Sequence, residues 1–158
     1  MSEEFDRFLA SGPETIKERD RIAQEARDRV AAEEDEKLER RKVLVAQWRS
    51  CRSALQGVID RINLAFKDVN LELMFMDERE GPPGVAELSI GVRRIYHSIG
   101  NSVHLNVTGT GAQHVIFHYA SDTPKPSNKM LLPDIDQCGG EQYAQMLMSF
   151  LQPLLHRL

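Results

Sequence analysis

The sequence predicts an α+β domain with a charged helical arm ahead of it, on three observations. An apolar seam of helical period runs from Val43 to Val69, four segments of period two follow it, and helical period returns from Glu141. Runs of strands flanked by helices, with short links between the strands, place the helices together on one face of an antiparallel meander.

In chain order, residues 2–10 can form a short helical turn presenting Phe5, Phe8 and Leu9. Ser11-Gly12-Pro13-Glu14 reads as a helix start, with Ser11 as N-cap, Glu14 closing a capping box and Pro13 in the first turn. From Glu14 to Lys42 there is neither glycine nor proline, and Glu25/Arg29, Glu33/Lys37 and Glu36/Arg40 are spaced for i, i+4 pairing. Continuing the later seam backwards through the arm meets Arg41, Lys37, Glu34, Val30, Arg27, Ala23, Asp20 and Ile16. Too few of these are apolar for a stable coiled coil, so the arm is expected to be a solvated or weakly associating helix, coiled-coil-like in part.

The seam itself is Leu44, Trp48, Cys51, Leu55, Val58, Ile62, Ala65 and Val69, widened by Ile59 and Phe66. The strands follow, alternating about Leu71-Leu73-Phe75, Leu88-Ile90-Val92, Val103-Leu105-Val107 and Val115-Phe117-Tyr119. Gly81-Pro82-Pro83-Gly84, His97 to Asn101 and Gly109-Thr110-Gly111-Ala112 are the short turns between them. Residues 121–140, rich in proline and glycine, form a long connection. The last helix buries Tyr143, Met146, Leu147, Phe150, Leu151, Leu154 and Leu158, and Pro153 is expected to kink or break it. The chain thus divides into a charged arm, 1–42, and an α+β domain, 43–158. Its order of helix, four strands, loop and helix resembles the RWD-like domains that cap coiled coils in some assemblies. The proline motif of that family is absent, so the resemblance is one of architecture and implies no function.

Charge is spread evenly. Of 44 Asp, Glu, Lys and Arg residues, the first 49 positions hold 13 acidic and 11 basic, and the rest 11 acidic and 9 basic. No basic face is concentrated enough to predict nucleic-acid binding. The opening residues lack the basic flank and apolar run of a signal peptide, and no stretch is apolar enough to span a membrane, so a soluble cytoplasmic protein is expected. Cys51 and Cys138 fit no metal-ligand spacing; Cys51 lies on the seam and reads as a buried thiol.

Candidate chemistry is sparse and points to binding rather than catalysis. Setting Val107 against Val115 places His104 opposite His118 on the outer sheet face, which could begin a metal site; polar residues on an exposed face are the plainer reading. Asp134 and Asp136 suit turns, and Gly109-Thr110-Gly111 lacks the helix and the Lys-Ser/Thr of a phosphate loop. Arg93-Arg94 with His97 makes a modest basic spot. No catalytic residue, cofactor or metal is assigned.

A seam of 27 residues is about 40 Å long, whereas a seven-residue strand spans only about 23 Å. Leu44, Trp48, Cys51 and Leu55 therefore project beyond the sheet and are expected to form a homodimer interface. The function expected is a non-enzymatic protein–protein interaction or oligomerisation module whose partner protein the sequence does not identify. The alternative is a small metal- or ligand-binding protein or enzyme using the histidine face and the 121–140 connection.

Overall fold

The computed structural model describes residues 2–94, 100–120 and 129–156. The expected basic-spot residue His97, residues 121–128 of the long connection, and Leu158 lie outside them. The architecture is α+β: helix α1 (Glu3–Ala65), an antiparallel sheet, and helix α2 (Gly140–Leu155). The chain falls into two compact units, Met1–Arg40 and Arg41–Leu158.

In the first unit every described residue is exposed except Gly12, which is half-buried. The helix begins at Glu3 and runs through Gly12-Pro13, so the start expected at Ser11 does not form. Its hydroxyl instead folds back on the Arg7 carbonyl at 2.8 Å, and Thr15 does the same to Ser11 at 2.9 Å. Such bonds suit a helix interior rather than a cap. Ser2 takes the capping role, its hydroxyl accepting the Phe5 N–H at 3.4 Å, and Glu3, Glu4 and Asp6 fill the first turn, where acidic groups favour the helix dipole. Local ion pairs line the surface: Arg21 bridges Glu18 and Glu25, and Lys37 reaches Glu34.

In the second unit, a 3-10 turn (Lys67–Val69) and left-handed Asn70 lead from α1 into the sheet. Five strands, β1 (Leu71–Glu80), β2 (Ala86–Arg94), β3 (Asn101–Val107), β4 (Gln113–His118) and β5 (Lys129–Leu132), lie in sequence order. The fifth was not legible in the sequence because it is only four residues long and sits among prolines. A bulge at Met76 in β1 turns Glu78 and Glu80 to the helix side, where they meet Arg52 and Arg49. The outer edge of β1 is partly closed by Asn63, whose side chain donates to the Leu73 carbonyl at 2.9 Å and accepts its N–H at 2.7 Å, as a neighbouring strand would.

The core lies between the sheet and the two helices, with Trp48, Leu55 and Ile59 of α1 and Tyr143, Met146 and Phe150 of α2 at its centre. Helix α2 continues through Pro153 to Leu155; the break expected there does not occur, and Leu154 is buried while Leu155 is exposed. Only one backbone hydrogen bond is forfeited so near the helix end. Val69, read as a seam residue, is exposed because α1 ends before it.

Candidate functional site

The chain itself covers the apolar seam of α1. Trp48 is 2% exposed, Cys51 5% and Leu55 0%, with Leu44 half-buried beside them. From β5 the chain drops into the turn Ile135–Gln137 at the level of Cys51, whose thiol donates to the carbonyls of Ile135 (3.3 Å) and Cys138 (3.4 Å). Burial pushes the Cys51 thiol above its ordinary pKa. Leu44 is met by the β3–β4 turn, where a Cβ on Gly111 would lie 3.1 Å from both Leu44 and Ile135. The expectation that these four residues project past the sheet and await a second copy is therefore corrected. The described part of the connection expected over residues 121–140 holds a strand and a turn, and it supplies the cover.

Among the described residues of this unit, no helix packs on the opposite face of the sheet. Two rows of side chains cross it through all five strands, Asp77-Ser89-His104-Ile116-Lys129 and Arg79-Glu87-Asn106-His114-Leu131. Between them lies a shallow trough of about 640 Å³. On its β1–β2 side Arg79 pairs with Glu87 at 2.8 Å and Arg93 with Glu72 at 3.0 Å, and Asp77 adds a carboxylate that acts on His104.

His104 and His118 both lie on this face, as expected, but not opposite one another. Val107 pairs with Gln113 rather than Val115, so His104 faces Ile116 and His118 faces Ser102. The turn causes the difference. Thr108 N–H bonds to the Ala112 carbonyl at 2.9 Å, Gly111 takes φ 87°, and β4 begins two residues early at Gln113. The polar Gln113 occupies a core position, 1% exposed, because Tyr143 donates to its Oε1 at 2.7 Å and its Nε2 donates to the Pro133 carbonyl at 2.8 Å. The two imidazoles still meet, as diagonal neighbours, edge to face with centroids 4.6 Å apart.

Both nitrogens of His104 face hydroxyls, Nδ1 with Ser89 Oγ at 2.9 Å and Nε2 with Ser102 Oγ at 3.3 Å. Among the described residues no group of three His, Cys, Asp or Glu side chains is placed to hold a metal. Ser89, 7% exposed, holds the imidazole through its hydroxyl. Burial, and then the charge of His118, lower the His104 pKa, while Asp77 acts in the other direction. The unfolded chain takes up this proton near pH 6.5 and the folded one resists it, so acidification below about 6.5 favours unfolding until the lowered folded pKa is passed. Urea midpoints at pH 7.5 and 5.5 are expected to show a loss of stability on acidification that His104→Gln reduces. A loss of the same size in the variant would remove His104 as its source.

Asp134 and Asp136 flank the Ile135 turn, and Gly109-Thr110-Gly111 is a hairpin turn. Among the described residues no helix is long and apolar enough to cross a membrane. No family of known proteins, no curated protein and no solved structure matches this chain.

Proposed function

We propose that the protein is a non-enzymatic interaction module: a folded α+β unit bearing a charged helix that associates with a second copy. The observation carrying this reading is that helix 3–40 exposes its side chains throughout its described length. Leu9, Ile16, Ala23 and Val30 recur along it at seven-residue intervals, and Leu9, Ile16 and Val30 are among its exposed large hydrophobic residues. The companion positions Phe5, Gly12, Arg19, Ala26 and Glu33 are mixed, which suits reversible association rather than a permanent coiled coil. With the seam consumed in the core, the arm offers exposed apolar side chains repeated along one helix, and these are free to meet a partner.

Deletion of residues 1–40 tests this in two ways. The melting temperature should change by no more than a few degrees, since a change of ~1 kcal/mol moves it by about 2–8 °C for domains near this size. The mass in solution, measured by light scattering at tens of micromolar, should fall from that of an assembly to that of a monomer. An intact chain that is already monomeric there would contradict the reading.

A further inference from the structure

The two ends of the open sheet face differ in charge, and the difference matches the tip of the arm. β3, β4 and β5 contain no aspartate or glutamate. Their outward side chains include His104, His114, His118 and Lys129, and among these stand two exposed apolar residues, Ile116 and Leu131, the latter 75% exposed. Ile116 pairs with Lys129 and Leu131 with His114, so an apolar and a basic group stand side by side at each of these positions. The tip of α1 has the complementary character. Glu3, Glu4 and Asp6 alternate with the exposed rings of Phe5 and Phe8 and with exposed Leu9, and the one cation among them, Arg7, is paired to Glu3 at 3.9 Å.

We propose that the open face of β3–β5 is a docking surface for the acidic aromatic tip, Glu3–Leu9, of a second copy of this chain. The tip carboxylates lie against Lys129 and the imidazole edge, and Phe8 covers Leu131 and Ile116 at the margin of the trough. The pairs Arg79–Glu87 and Arg93–Glu72, with Asp77 at the β1 end of the row that contains His104, leave the β1–β2 side without the cationic excess that would draw the tip there. Each chain supplies one tip and one face, so the partner is a second copy of the same chain. The inference rests on the self-association reading and names the surfaces that would carry it.

The test uses the full chain and two variants that spare the core: Leu131→Asp on the face, and the double change Phe5→Ala with Phe8→Ala on the tip. Self-association of each, followed by sedimentation over a range of concentrations, should be at least about tenfold weaker than that of the unmodified chain. Mixing the two variants should restore association in part, because the intact tip of one meets the intact face of the other. Added salt should weaken binding of the unmodified chain. If the unmodified chain associates but Leu131→Asp does so equally well, or if the mixture gains nothing over its components, the tip does not dock on this face. If the unmodified chain remains monomeric, the self-association reading itself fails.

Discussion

Changing Leu55 to alanine is expected to destabilise the folded unit by about 2–5 kcal/mol, the range for removing a fully enclosed leucine and leaving a cavity. Leu55 is 0% exposed and sits between Trp48, Cys51 and Ile59, which are themselves 5% exposed or less. Domains of this kind have roughly 5–15 kcal/mol of stability in all, so the variant loses a large share of it, and Leu55→Asp should not fold. Equilibrium urea unfolding checks the first and circular dichroism the second. A dimer surface at this position would behave otherwise: Leu55→Asp would give a folded monomer. Well-dispersed, cooperative unfolding of Leu55→Asp would therefore move the seam back to the outside of the molecule.

The second large effect is expected at Gln113. Its side chain links β4 to α2 through Tyr143 and to the segment after β5 through the Pro133 carbonyl, and no buried side-chain nitrogen or oxygen among the described residues lacks a partner. Burial holds the Tyr143 hydroxyl far above its ordinary pKa, so it stays a neutral donor. Tyr143→Phe leaves Gln113 Oε1 buried without its donor and should cost about 1–3 kcal/mol. Gln113→Ala orphans both partners and opens a void, and should cost more. With Gln113→Leu the tyrosine hydroxyl is the group left behind, so adding Tyr143→Phe should cost less in that background than alone. Additive losses in this double-mutant cycle would show that the two side chains are not coupled.

The class of the fold and the faces of its strands were legible because period two and period 3.6 are properties of single segments. Leu105 and Val115 point inward and His104 and His118 outward, whatever the pairing. Register was not legible, because it depends on where the turn ends, and the inward Gln113 that opens β4 breaks the apolar alternation that would mark it. Its justification is Tyr143, thirty residues away in sequence, which from sequence alone is one more apolar ring on a helix. The cover over Cys51 was hidden for a similar reason: Ile135 lies in a proline- and glycine-rich stretch whose short strand has too few residues to show a period. At the arm, the Ser-Gly-Pro-Glu signal was present, but the hydroxyls of Ser11 and Thr15 serve helix carbonyls instead. Of the candidate site, the histidines were legible as a pair on one face; the tilt of the face from ion pairs and the Asp77 carboxylate at β1–β2 to none but cationic and neutral groups at β3–β5 appears only once the strands are set in order.

The central claim, that this chain meets its partner through the helical arm and not through the seam, is tested most directly by amide hydrogen exchange measured at several protein concentrations. A solvated helix whose stability is local opens readily, and association protects it. Protection in residues 3–40 should rise with concentration while that of the amides around Trp48 and Leu55 stays constant and high. Protection of the arm that does not depend on concentration, or a concentration-dependent change centred on Trp48–Leu55, would contradict the account.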